Sequence, residues 1–174
     1  MSPAAAETVS TARLDLLPLR VAHAREMAAV LSDPALHTFI GGAPDTPDAL
    51  RARYERLSAG SPDPGVTWLN WVIRLRADGC LTGTVQATVG RPAAEPAEVA
   101  EIAWVVGTPW QGRGIAVEAA RGLVGLLDRQ GVRSVVAHIH PDHHASAAVA
   151  AAAGLTPTGE VHDGELRWSR RLGR

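Results

Sequence analysis

The chain has 174 residues, 46% of them apolar, a formal net charge of −1 and one cysteine. That is enough for one domain with a real core, while the charge balance offers nothing to nucleic acid or to an acidic membrane surface. A lone Cys80 permits no internal disulfide, which fits a reducing cytosol. All 17 basic residues are Arg, which, with the abundant Ala and Pro, reads mainly as base composition. No stretch approaches the ~18 uninterrupted apolar residues of a membrane span. Residues 1–11 lack the basic region and apolar core of a secretory signal and read as a flexible N-terminal tail ahead of a single domain over 12–174.

The elements follow in order. Arg13 to Arg20 alternates in part and reads as a strand. Ala22 to Leu31 has helical spacing and stops at Asp33-Pro34, where Pro cannot continue a helix. Thr46-Pro47-Asp48 starts a second helix, with Pro in its first turn, that runs to about Ser58. Ser61 to Gly65 is a loop. Trp68 to Arg74, Leu81 to Val89 and Val99 to Val106 are strands, the first two joined by turn residues Ala77-Asp78-Gly79. A long helix follows, with Val117, Ala120, Val124 and Leu127 on one stripe and Gly131 as its terminator. Ser134 to Ile139 is a buried-type strand, and Ala145 to Ala153 a short helix ended by Gly154. Two strands close the chain, the last over Leu166 to Leu172 after a turn at Asp163-Gly164. This is a mixed α/β pattern.

The junction between the strand at Val99–Val106 and the long helix carries the most information. Its residues are Gln111-Gly112-Arg113-Gly114-Ile115-Ala116. Two glycines leave the backbone bare where a helix begins, and the first amides of a helix have no intrahelical partner. With the helix dipole, they make an anion site suited to phosphates. No Gly-Lys-Ser/Thr follows, so this is not a nucleotide P-loop; Val117 replaces the third glycine of the dinucleotide fingerprint.

The junction matches Gln/Arg-x-x-Gly-x-Gly/Ala, and in it the chain resembles the GCN5-related N-acetyltransferases (GNAT). The order of Glu101-Ile102-Ala103-Trp104-Val105-Val106, this turn, Glu118-Ala119, and Ser146 before Gly154-Leu155 resembles the branch of ribosomal-protein N-terminal acetyltransferases. The resemblance covers nearly the whole chain from about Thr11. It implies a mixed, mostly antiparallel sheet flanked by helices, with a central strand pair splayed apart. Acetyl-CoA is the implied co-substrate. Its pyrophosphate would lie on Gln111, Gly112, Arg113, Gly114, Ile115 and Ala116, and its pantetheine arm along Trp104, Val105 and Val106. The Arg113 side chain either adds charge or is solvated. The branch's Pro-Asp-Asn-x-x-Ser appears here as Pro141-Asp142-His143-His144-Ala145-Ser146, so His143 replaces an Asn that contacts pantetheine.

Acetyl transfer to an amine needs a neutral amine, a stabilised oxyanion and a protonated leaving thiol. Amines such as lysine side chains, with pKa about 10.4, or α-amines, at about 7.7–8.0, arrive charged, so a base is useful. Glu101, a lone carboxylate in an apolar strand, is the first candidate; burial there would raise its pKa toward a useful range, the alternative being a Glu on a solvated sheet face. Glu160 is second and His138 third. A backbone amide near Val105 is placed to meet the oxyanion. Many GNAT members protonate the thiolate with a tyrosine. Tyr54, on an early helix, is the only one here, so Ser146 is the replacement, or else a helix-start residue. Phe39, Trp68, Trp71, Trp104 and Trp168 could line an acceptor slot, and Gly41 to Pro44 could cover it. The acceptor implied is a small amine, metabolite or antibiotic, or a protein N-terminus; a homodimer is open, and nucleic acid and membrane are not expected.

Two other readings stand beside this one. The missing tyrosine and His143 allow an acyl-CoA-binding sensor that has lost turnover. His138-Ile139-His140-Pro141-Asp142-His143 matches the His-x-His-x-Asp-His of zinc hydrolases, but too little chain follows to supply the remaining ligands of such a domain. No metal is expected.

Overall fold

The computed structural model describes residues 4–173. Its elements are β1 (Val9–Ser10), β2 (Leu14–Pro18), α1 (Ala24–Val30), α2 (Pro47–Ala59), β3 (Val66–Leu75), β4 (Cys80–Gly90), β5 (Val99–Val106), α3 (Ile115–Arg129), β6 (Ser134–Ile139), α4 (His144–Ala152), β7 (Thr156–His162) and β8 (Glu165–Arg171). The strands form one sheet in the order β1-β2-β3-β4-β5-β6-β8-β7. Only the β5–β6 pair is parallel, as its helical crossover through α3 requires. This is the mixed, mostly antiparallel sheet that the sequence implied.

Strand alternation gives the sheet two unlike faces. On one, α3 and α4 close a core that includes Trp71, Ile73, Val85, Ile102, Leu123, Leu127, Val135 and Leu155. The α3 stripe is wider than the sequence suggested: Ile115, Ala119, Leu123 and Leu126 join Ala120, Val124 and Leu127, and Val117 lies at its margin. On the other face α1 and α2 cover only the β2–β4 side, through Met27, Val30, Leu50, Tyr54, Val72 and Leu81. Thr46 caps α2, its Oγ1 accepting from Ala49 N at 3.1 Å. Past that cover the face is open, and Gln86, Glu101 and Ala103 are exposed there.

The N-terminal segment differs from the expected loose tail. Met1 to Pro3 lie outside the described residues, but Ala4 and Val9 are buried. Gln130, at the end of α3, bonds both peptide groups of Ala5 at 2.9 Å, and Trp71 Nε1 donates to Glu7 O at 2.8 Å. These partners are far away in sequence, so no local pattern announces them. The proposed aromatic slot does not form. Trp71 is fully buried under α3, Trp104 and Trp168 pack against the same core, and Trp68 belongs to the opposite face.

Asp15 is a buried charge with full compensation. It accepts from Arg74 Nη2 at 2.7 Å, Ser10 Oγ at 2.8 Å and Arg76 Nη1 at 3.0 Å. The Arg74 bond above all, then the Ser10 hydroxyl, holds its carboxyl at about 2 against the pull of burial. A depressed carboxyl stabilises the fold above its unfolded pKa of about 3.9 and loses that contribution as pH falls toward its folded value. Asp15→Asn should therefore lower the melting temperature clearly at pH 7 and progressively less from pH 4 to pH 2. A constant difference across that range would contradict this role.

Tyr54 presents the reverse case. It is buried, its hydroxyl has no hydrogen-bond partner among the described residues, and desolvation pushes its pKa up to about 12. Removing an unpaired buried hydroxyl relieves a desolvation penalty of about 1–3 kcal/mol. Tyr54→Phe should melt higher than the wild type with turnover unchanged; a lower melting temperature would show that the hydroxyl has a partner.

Candidate active site

The site begins where β5 and β6 part. They pair in parallel only through Val99–Ser134, Ala100–Val135 and Glu101–Val136. Beyond Glu101, β5 stays with β4 as far as Val106–Gly83, while β6 follows β8 to Ile139–Leu166. The two strands thus form a fork, as the resemblance implied. Gly83 holds β5 to its outer neighbour: a Cβ there would lie 2.2 Å from Val105 O, so no other residue allows the approach. The Val105 carbonyl is therefore on the β4 side, whereas the Val106 carbonyl accepts from Gln111 Nε2 at 3.0 Å. Successive residues turn their peptide groups to opposite edges. Trp104 and Val106, rather than Val105 between them, face the fork.

From β5 the chain makes a 3₁₀ turn at Thr108–Trp110 and enters α3 through the glycine turn. Gly112 and Gly114 have φ of 76° and 77°, left-handed values that only glycine adopts freely. Gly114 is the N-cap, and no side chain caps the helix. The first amide with a protein acceptor is Glu118 N, 3.0 Å from Gly114 O. Among the described residues, the amides from Gly112 to Val117 donate to no protein atom. Gln111 is used differently. Its amide donates to Thr108 O and its side chain to Val106 O, so it ties the turn to the tip of β5 and leaves no free amide. The Arg113 side chain is exposed and makes no ion pair among the described residues.

Two of the base candidates meet. His138 Nδ1 lies 2.9 Å from Glu101 Oε1, bridging β6 and β5 on the open face. The bridge is one step above Glu101–Val136, the last paired position. The Glu101 side chain is 56% exposed, so of the two settings open to it the solvated sheet face is the one found, opposite α3. With Nδ1–H given to the carboxylate, the pairing assigns Nε2 of His138 as a proton acceptor. Glu160 is not brought to the fork. It accepts from Arg167 Nη1 at 2.7 Å, and Arg167, opposite His138 in the sheet, also meets Glu95 at 3.6 Å.

The second cluster tops the other arm of the fork. β6 ends at Ile139, so His140 enters the turn and does not share the strand face of His138. His140 Nδ1 accepts from Asp142 N at 3.0 Å. His143 is the N-cap of α4, which places Ser146 in the first helical turn rather than at the cap. Ser146 Oγ lies 3.3 Å from His143 Nε2. Phe39, on the loop after α1, stacks on the His143 ring at 4.4 Å and tilts against His140 at 5.1 Å. Burial first, then the charge of His140, lowers the pKa of His143 and favours its neutral ring. The zinc-like histidines thus turn to separate partners, and among the described residues no group of three His, Cys, Asp or Glu side chains is arranged to hold a metal. Tyr54, buried under α2, is no proton donor for this site.

No curated protein matches the sequence. Among solved structures, the chain is similar to RimL, a ribosomal L7/L12 alpha-N-protein acetyltransferase solved with coenzyme A, at 18% identity and TM-score 0.77, covering 95% of this chain and 98% of that one. It is similar to the microcin C7 self-immunity acetyltransferase MccE, solved with acetyl-CoA and AMP, at 18% identity and TM-score 0.75, covering 93% and 94%. It is also similar to the ribosomal-protein-S5-alanine acetyltransferase of Vibrio fischeri, at 15% identity and TM-score 0.74, covering 95% and 96%. At these identities the likeness is one of fold. The sequence itself matches the acetyltransferase (GNAT) domain over residues 13–156. With a forked sheet, an uncapped glycine turn and that match in agreement, the chain belongs to the GNAT acetyltransferase family.

Proposed function

We propose that this N-acetyltransferase transfers the acetyl group of acetyl-CoA to a small primary amine by direct attack, with His138 as general base. The observation that carries this reading is the Glu101–His138 bridge at the point where β5 and β6 separate. The diphosphate of CoA lies on the amides from Gly112 to Val117, where orphan N–H groups and the helix dipole favour an anion. The pantetheine arm enters the fork and pairs with the peptide groups of Trp104 and Val106. The thioester then reaches the floor of the fork, on the same side of the sheet as the dyad.

The amine, arriving mainly as ammonium, gives a proton to His138 Nε2, directly or through one water. The Nδ1–H bond to Glu101 orients the imidazole and stabilises the imidazolium that forms, as a carboxylate does in other imidazole-based sites. The amine attacks the carbonyl carbon, and a backbone N–H of the fork meets the oxyanion. The C–S bond then breaks with its electron pair on sulfur, the Ser146 hydroxyl, bonded to His143, gives the thiolate its proton, and the second proton shed by the new amide nitrogen passes through water to restore that hydroxyl. Glu160 is committed to Arg167 and takes no proton in this scheme.

Two features support a small acceptor. Phe39 carries the loop after α1 across to His143 at the start of α4, on the far arm of the fork. The open face offers Gln86 and the Glu101–His138 pair, with Arg167 opposite His138 matched by Glu160 and Glu95, and so no large platform of one charge for a protein partner. The half-buried free Cys80 suits a reducing cytosol. A screen of small amines and N-terminal peptides against acetyl-CoA, followed by thiol release, tests the reading. Turnover with at least one small amine is expected. Tight binding of acetyl-CoA with no release on any acceptor would favour a sensor, and turnover on peptides alone would move the acceptor to protein N-termini.

His138→Gln should lower kcat by about 10²-fold or more, with the KM for acetyl-CoA little changed and the acid limb of the pH–rate profile flattened. Glu101→Gln should cost less, because an amide oxygen can still accept from Nδ1. An unchanged profile in His138→Gln would remove it as the base. Gly114→Trp should abolish CoA binding, since φ of 77° strains any side chain and an indole would fill the cradle. Unaltered affinity in a calorimetric titration would contradict that placement.

A further inference from the structure

A carboxylate stands where an anion site should not want one. Glu118 lies one turn into α3, beside the amides from Gly112 to Val117, and its side chain is only 18% exposed. By charge alone it weakens phosphate binding. Its oxygens are, however, fully engaged with the segment before β2. Oε1 accepts from Arg13 Nε at 2.7 Å, and Oε2 from Arg13 N at 2.8 Å and from Thr11 Oγ1. Burial alone would raise this carboxyl, but those bonds outweigh it and hold it below its ordinary range. The Arg13 guanidinium continues the chain of contacts: Nη1 donates to Arg113 O at 2.9 Å, inside the glycine turn, and Nη2 lies 3.4 Å from where a Cβ on Gly114 would sit.

We propose that Arg13 and Glu118 are positioning residues that fix the glycine turn in its anion-binding conformation, linking the β1–β2 hairpin to the site of the cofactor phosphates. The turn needs such a clamp. Its two left-handed glycines have the widest conformational freedom of any residue, and apart from Gln111 it is tied down by no side chain of its own. Arg13 holds the carbonyl of the one residue between those glycines, Arg113 O. The close seating of the hairpin is built in independently. A Cβ on Gly122, one turn beyond Glu118, would lie 3.0 Å from Thr11 Cγ2 and 3.5 Å from Val9 Cγ1, so glycine is what lets the hairpin reach α3.

The inference rests on the reading that the turn holds the CoA diphosphate. It makes a prediction opposite in sign to simple electrostatics. Removing the Glu118 charge should tighten CoA binding if only Coulomb attraction matters, and weaken it if the carboxylate positions the turn. We expect Glu118→Ala to weaken CoA binding about tenfold, the scale of lost charge-assisted hydrogen bonds, and Glu118→Gln, which keeps one acceptor, to weaken it less. Arg13→Gln should match Glu118→Ala, and Arg13→Lys should recover little, because an ammonium cannot hold the carboxylate and the carbonyl at once. The double variant should be no worse than either single one. The loss should appear in the KM for acetyl-CoA and not in kcat. Calorimetric titration with CoA, beside melting curves without ligand, reads these outcomes, and Glu118→Gln serves where Glu118→Ala does not fold. Equal or tighter binding by a folded Glu118 variant would overturn the proposal while leaving the turn as the phosphate site. Failure of the wild type to bind CoA would overturn both.

Discussion

The peptide groups of β5 have strand partners on both sides as far as Glu101 and on one side only beyond it. Buried N–H and C=O groups without partners are costly, so a sheet that opens in its middle must serve a purpose. The fork offers amide-pairing groups to a thin, extended molecule that itself carries amides, and pantetheine is of that kind. Everything else at the site takes its position from this divergence. Gly83 keeps β5 against β4, Gln111 ties the tip of β5 to the glycine turn, and α3 starts where the arm of the fork ends. In the function proposed above, the cofactor's thin arm and its charged end are both served by one continuous stretch of backbone, from Trp104 to Val117.

The distribution of cover over the sheet separates binding from chemistry. α3 and α4 bury the core on one face, leaving β7 exposed, and contribute the helix starts that frame the fork. α1 and α2 seal the other face only over the early strands. The uncovered remainder exposes Glu101 and part of His138, where the proposed reaction brings the amine. An acid–base pair held open to solvent would be a poor base if it depended on burial. The carboxylate–imidazole bond supplies orientation instead, and the two residues come from strands that are neighbours only at the floor of the fork. On the far arm, the aromatic ring of Phe39 fixes the His143 imidazole against Ser146, joining the loop after α1 to the first turn of α4.

Much of this was legible in the sequence because it was locally encoded. The glycine turn announced its helix start through Gly112 and Gly114, and the short apolar runs Val99–Val106 and Ser134–Ile139 placed the central strands. What escaped depends on contacts across long separations. The packing of Ala4 to Ser10 is decided by Gln130 and Trp71. The pairing of Glu101 with His138 follows from strand register, and neither residue signals the other. The apolar neighbours of Glu101 left it either buried or on a solvated face; those neighbours face α3 while Glu101 alternates to the uncovered side. Glu118 was read as part of a family pattern, and its bond to Arg13 became visible only in three dimensions.

The central claim is that one run of backbone, forked strand and glycine turn together, receives the cofactor. Amide chemical shifts during titration of isotopically labelled protein with CoA test it residue by residue. The account predicts that the largest changes fall on Gly112 to Val117 and on Trp104 and Val106, with β1, β2 and β3 nearly silent apart from residues touching Arg13. Saturable binding that left those amides unmoved, or that moved the outer strands most, would contradict it.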